Sequence, residues 1–176
     1  MEALLRWLKR LGVSGGLILL AVYVAFWVYS LPRHVKVHVT GTETLRGEVE
    51  KPSGRVLDQD VRYVMAEGLD GEPHMFRNVD TGWGWPPYFK FDSGDVAAQA
   101  NNLALDNRDE IVLIRYYGFR IRMLSMFPNI LSMRVVSADY QPIPWLTIFF
   151  AFAHFVAIGF IAVLIRDFRE RQKEDS

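Results

Sequence analysis

Two uninterrupted apolar runs bracket this chain, and they constrain its fold more than any other feature. Leu11 to Leu31 holds no charged residue in 21 positions, and Ile143 to Ile165 is equally free of Asp, Glu, Lys and Arg. At ~1.5 Å per residue, about 20 helical residues cross the ~30 Å hydrocarbon layer of a bilayer. Backbone polar groups in that layer have no water to bond, so both runs are expected as helices. A secretory signal also opens with basic residues before an apolar core. This core is too long for one, and no Ala-x-Ala pattern lies near Ser30 or Pro32, so an uncleaved anchor is expected.

Flanking charges give the orientation. Arg6, Lys9 and Arg10 precede the first run; Arg166, Arg169, Arg171 and Lys173 follow the second. The positive-inside rule then puts both ends in the cytoplasm. Trp27 and Tyr29 would meet the outer interface beside Tyr140 and Trp145, with Trp7 at the inner one. The expected organisation is a cytoplasmic N-terminus (1–10), a transmembrane helix (11–31), an outer β-rich domain (32–142), a second transmembrane helix (143–165) and a cytoplasmic tail (166–176). Gly12, Gly15, Gly16, Ala21 and Ala25 in the first span, and Ala153, Ala157 and Gly159 in the second, suit close helix approach, within the chain or with a partner.

Composition narrows the middle. The chain is 51% hydrophobic, yet its mean hydropathy is only +0.08, because residues 33–141 read as a soluble domain. That stretch carries 13 basic and 15 acidic residues, a net of −2. No basic excess points to nucleic acid. Cysteine is absent, which excludes disulfides, thiolate metal sites and cysteine nucleophiles. The domain must rely on its core, and about 110 residues suffice for one.

Periodicity supplies the elements. Val35, Val37 and Val39 alternate with His34, Lys36 and His38, a half-buried strand. Residues 41–59 are polar and contain Pro52-Ser53-Gly54, which reads as a loop or ragged hairpin. Val61, Tyr63 and Met65 mark a second strand, Leu69-Asp70-Gly71-Glu72 a turn, and His74 to Val79 a third strand. Asp92 or Ser93 can cap a helix to about Leu105, with Asp95 in its first turn and Val96, Ala100 and Leu103 on one face. Ile111 to Tyr117 is a nearly continuous apolar strand, broken by Gly118. Phe119, Ile121 and Met123 then alternate with Arg120 and Arg122, and Ile130 to Val136 is the last strand. The expected fold is therefore α+β with two transmembrane helices, and a small OB-like barrel of about five strands and one helix inserted between them. A split sheet with one packed helix has a similar element order.

Few residues suggest chemistry. His34 and His38 are spaced like a metal pair, but four strand residues span about 13 Å, too far for one ion. His74, Asp70 and Glu72 are explained by a turn and a strand. Asp80 and Asp92 are paired carboxylates in principle, though such residues more often serve turns and caps. No recognisable nucleophile turn is expected, since the G-x-S-x-G spacing of Gly12 to Gly16 falls inside the first apolar run, and Gly82 and Gly84 lack a phosphate-loop pattern. No catalytic, cofactor-binding or metal-ligating residue is expected, and no cofactor. His154 is the ionisable residue inside a span, and it is read as an intramembrane polar contact. Bonding to a nearby carbonyl or hydroxyl, contact with a partner subunit and cofactor ligation are the alternatives.

The best functional candidate is the aromatic cluster Trp83, Trp85, Tyr88, Phe89 and Phe91. Two Gly and two Pro exclude regular structure across it. It can fold inward over the barrel mouth, dip into the outer leaflet, or form a hot-spot surface for a partner or ligand.

The stretch from Asp80 to Ser93, DTGWGWPPYFKFDS, resembles the signature of a bacterial inner-membrane protein family of unknown function. Val39-Thr40-Gly41-Thr42-Glu43, Tyr116 to Ile121 and Leu124 to Asn129 extend the resemblance over most of residues 35–136. It implies a bacterial envelope protein and carries no activity or site residue with it.

The expected function is that of a non-enzymatic inner-membrane protein with a membrane-apposed periplasmic interaction domain, an accessory subunit of an envelope complex. Its expected partners are the lipid bilayer and a membrane protein or a second copy, not nucleic acid. The alternative is a periplasmic module binding a small apolar ligand or lipid, which requires a pocket lined by Trp83, Trp85 and Phe119. An enzyme would require Asp80, Asp92, His74 and Arg120 to converge.

Overall fold

The computed structural model describes residues 2–50 and 56–174, with the backbone alone at 46–50, 56–60 and some positions near the termini. Helix α1 (Glu2–Ser30) leads into strands β1 (Arg33–Glu50), β2 (Val56–Gly68) and β3 (Pro73–Asn78). Helix α2 (Ser93–Asp106), strands β4 (Val112–Tyr117) and β5 (Asn129–Val135), and helix α3 (Trp145–Glu174) follow. Residues up to Tyr140 make one compact unit, and α3 belongs to a second that begins at Gln141. Both Arg10–Ser30 and Trp145–Gln172 are long and apolar enough to cross a membrane.

The five strands close into a barrel in the order β1-β2-β3-β5-β4, with β4 returning to β1. All pairings are antiparallel except β3 with β5. The period-two reading of β1 is met: Val37 and Val39 are buried in the core with Val35 against it, while Lys36 and His38 face outward. Facing them inside are Val64 and Ala66 of β2, Phe76 of β3, Val112 and Ile114 of β4, and Ile130 and Met133 of β5. Helix α2 covers this interior with Val96, Ala100, Leu103 and Ala104, the face its spacing predicts.

Three local readings gain detail. Residues 41–50 and 56–59, read as a loop or ragged hairpin, take the hairpin form. β1 and β2 continue as one long hairpin, paired out to Glu50 and Val56, and the irregularity lies at Val39/Gly41 instead. Polar composition left both readings open there, because a two-stranded ribbon away from the core needs no apolar face. Pro52-Ser53-Gly54 lies outside the described residues. β2 runs where Val61, Tyr63 and Met65 mark it, and its residues in the core cluster are Val64 and Ala66. From Phe119 to Met123 the chain adds no sixth strand, in keeping with the five counted: Ile121 bridges Met126 around a short 3-10 turn, and Met123 is 96% exposed.

The cap of α2 is also supplied differently. Asp92 occupies the cap position without a side-chain bond. Asp80 takes over, its two carboxylate oxygens accepting from the Ser93 N–H and the Ser93 hydroxyl, each at 2.9 Å. A carboxylate at a helix N-terminus is favoured by the orphan N–H groups and the dipole. Asp80 thus ties the start of the aromatic loop to its end.

Candidate functional site

The aromatic loop converges on the C-terminal end of α1. A helix leaves its last four carbonyls without intrahelical donors, and here each one is satisfied. Trp27 O accepts from the Leu31 N–H at 2.8 Å, and Tyr29 O from the Gly118 N–H at 2.9 Å. Val28 O accepts from the Arg33 guanidinium at 3.2 Å. Ser30 O accepts from the Tyr88 hydroxyl. Ser30 is 4% exposed, and its hydroxyl oxygen accepts from the Trp85 indole N–H at 3.0 Å.

Rings pack around these bonds. Trp85 stacks on Phe26, with centroids 5.2 Å apart and planes 17° apart. Tyr29 meets Tyr117 and Phe119 edge-on at 6.0 and 5.6 Å, and Tyr88 leans on Tyr117 at 5.4 Å. Arg33 also donates to Gly118 O at 3.2 Å and sits over the Phe119 ring. Gly118 has φ +95, in the region that L side chains rarely adopt. That conformation lets β4 end abruptly and aim its N–H at Tyr29 O. The result is a splice: the helix end is embedded in the barrel wall rather than tethered by a linker.

Beneath the loop lies a buried polar network that sequence reasoning missed. Lys90 is 4% exposed. Its ammonium donates to Asn78 Oδ1 and, at 2.8 Å, to Ile130 O. Asn78 donates in turn to Ser93 O at 2.8 Å, and Lys90's own N–H donates to the Thr81 hydroxyl at 3.1 Å. Asn129 clasps Val79 through both backbone groups at 2.9 Å. Burial pushes Lys90 down to about 8, against the opposing pull of Asp92 and Asp80. Burial likewise pushes Tyr88 up to about 12. Between Phe89 and Phe91, Lys90 looks like an exposed residue of an alternating segment, so nothing local announces its burial.

The five candidate aromatics therefore divide into two groups. Trp85 and Tyr88 face the helix end. Trp83, Phe89 and Phe91 turn outward as one exposed group, with Trp83 80% exposed and its ring 5.2 Å from Phe89 and 6.0 Å from Phe91. Phe89 has φ +50, a costly conformation for a bulky residue. An open groove of about 400 Å³ runs between the loop and the β4–β5 wall, lined by Tyr88, Phe89, Phe91, Arg115 and Ser132 among others. Arg115 lies over the Tyr88 ring at 5.9 Å. The signal that marks it in the sequence is a lone charge inside an apolar strand.

Other candidates disperse. Trp83 does not join Trp85 and Phe119: the first meets Phe89 and Phe91, the others Phe26 and Tyr29. Asp80 binds Ser93, His74 stacks on Phe76, and Arg120 donates to Met126 O over the Phe127 ring. His38 lies 3.2 Å from Glu110 O. Among the described residues, no three His, Asp or Glu side chains gather where an ion could sit. His154 Nδ1 lies 2.6 Å from Phe150 O, one turn back along its own helix.

These features define a class: a closed five-stranded barrel on a chain with two helices long and apolar enough to cross a membrane. Within that class, the chain belongs to the family described as Protein of unknown function (DUF1523), which it matches over residues 8–169. It is 36% identical over 143 residues to a Haemophilus influenzae protein described as an uncharacterized protein. That alignment covers 76% of this chain and 81% of the relative. No solved structure matches it.

Proposed function

We propose that the protein is a two-pass bacterial inner-membrane protein with both termini cytoplasmic, whose OB-like periplasmic barrel is a non-enzymatic interaction domain seated on the outer face of the bilayer. It acts as an accessory subunit of an envelope complex. The carrying observation is the splice: all four terminal carbonyls of α1 are satisfied, three of them by Gly118, Arg33 and Tyr88 of the barrel. A barrel fixed this way keeps one face toward the membrane and presents the rest to a neighbour. The OB-like reading is supported by the strand order and by a helix between β3 and β4 covering the core. The basic residues outside both apolar runs support the orientation. The small residues of both runs support contact with a partner helix or a second copy.

Purification from membranes in mild detergent, with mass spectrometry of whatever comes with it, tests the subunit role. A strictly monomeric protein with no companion removes it. A second reading, a lipid-binding module, is favoured by the outward group of Trp83, Phe89 and Phe91 beside an open groove.

A further inference from the structure

The outer wall beside the splice gathers positive charge. His34 of β1 pairs across the ladder with Arg115 of β4, whose other neighbour is Ser132 of β5. Arg134 stands two residues on from Ser132, on the same face. Burial lowers the His34 pKa, and the charges of Arg115 and Arg134 lower it further. Among the described residues, ion pairs run from Arg166 to Asp167 and Glu170, and none reaches His34, Arg115 or Arg134. Of the groove residues, Asp92 supplies the opposing charge, and it lies at the loop side, by the start of α2.

The same groove has an apolar lip. Phe89 and Phe91 line it, and Trp83 packs on both rings while remaining exposed. The positive φ of Phe89 means this outward ring is held at a conformational cost. A strained backbone that exposes an aromatic ring is a feature of binding loops rather than of packing.

Position decides what can meet both halves. Tyr88, under the Arg115 guanidinium, bonds the last residue of α1. Trp85 stacks on Phe26, four residues earlier, which is ~6 Å down the helix axis. If α1 spans the bilayer, this level is where acyl chains give way to headgroups.

We propose that the groove between the aromatic loop and the β4–β5 wall binds an anionic glycerophospholipid of the adjoining leaflet. The phosphate lies against Arg115, with His34 and Arg134 around it, and the acyl chains run over Phe89, Phe91 and Trp83. Guanidinium and phosphate form charge-assisted bonds stronger than neutral ones. The aromatic lip supplies the apolar contact that a free anion would not use. The inference deepens the membrane-apposed reading and rests on it for the choice of a lipid.

The test uses the full-length protein, delipidated in detergent and titrated with short-chain phosphatidylglycerol, phosphatidylcholine or inorganic phosphate under native mass spectrometry. Both lipids carry a phosphodiester, but phosphatidylcholine also brings a quaternary ammonium to the arginine wall, so phosphatidylglycerol is expected to bind about tenfold more tightly. Arg115→Gln with Arg134→Gln should abolish that preference. Phe91→Ser, at an exposed position, should weaken both lipids and leave the preference in place. Equal binding of the two lipids overturns the proposal, as does inorganic phosphate binding as tightly as phosphatidylglycerol. If the arginine variant fails to fold, the wild-type comparison and Phe91→Ser still decide. Periplasmic placement is read separately by labelling from outside the cell, so lipid binding and topology can fail independently.

Discussion

Lys90 illustrates how one residue is decided by opposing terms. Burial penalises its charge, Asp92 and Asp80 favour it, and burial wins, leaving the group at about 8. An unfolded lysine titrates near ~10.4. Between those values the unfolded chain holds more protons than the folded one, so stability rises with pH across about 8 to 10. Above ~10 the raised tyrosines reverse the trend, since Tyr88 and Tyr117 stay protonated in the fold while unfolded tyrosine ionises. Unfolding free energy from denaturation curves should therefore climb from pH 8 toward 10, by about 3 kcal/mol over the full lysine window. Lys90→Met should flatten the climb. Its effect at pH 7 is less telling, because removing a buried charge and stranding Asn78 Oδ1 and Ile130 O are opposing effects of similar size. Equal slopes for the two proteins would refute the assignment. Gly118→Ala is a second test at this scale. With φ +95, an added Cβ should cost about 1–2 kcal/mol, measured as a lower unfolding midpoint. A change near zero would mean the turn is not under that constraint. Gly118 was legible as a strand breaker. Its donation to Tyr29 O was not, because the partner is 89 positions away.

Elements differ in how far their sequences announce them. β1 and α2 are legible because each presents one apolar face with the right period, Val35-Val37-Val39 in one and Val96, Ala100 and Leu103 in the other. The long hairpin of β1 and β2 is legible only as one of two readings, a loop or a ragged hairpin, since its outer part pairs through backbone bonds that any polar side chain permits. The cap of α2 hides for a related reason: Asp80 stands 13 residues before Ser93, across an irregular loop. Asp80→Ala should therefore cost about 1 kcal/mol and expose the first turn of α2 to faster amide exchange. Unchanged exchange at Val96 and Ala97 would remove Asp80 as the cap. The splice predicts a comparable loss. Tyr88→Phe keeps the ring but leaves Ser30 O without its donor, which should cost about 1–3 kcal/mol in this part-buried setting. Both are smaller than the about 3–5 kcal/mol expected for Phe76→Ala in the barrel centre. A Tyr88→Phe protein as stable as the parent would show the splice to be held by ring packing alone.

At the scale of the whole molecule, the absence of native cysteine offers a direct test of topology. Single cysteines at exposed Ser132 and Gln172 should react differently with a membrane-impermeant maleimide added to intact spheroplasts. Ser132→Cys should label at once, and Gln172→Cys only after permeabilisation. Labelling of both from outside, or of neither, would overturn the proposed orientation. By itself the sequence determined the two apolar runs, the barrel's element order and most strand positions. Hydrophobic length and period are properties of consecutive residues, and no tertiary contact is needed to read them. Tertiary structure alone decided that the aromatic segment splits into a face that grips α1 and a face that looks outward. It also decided that Lys90 is buried and that Arg115, His34 and Arg134 share a wall. Those facts depend on which distant residues barrel closure brings together. Tyr88 meets Ser30 across 58 positions, and Lys90 meets Ile130 across 40. No local pattern encodes such distances; the register of five closed strands does.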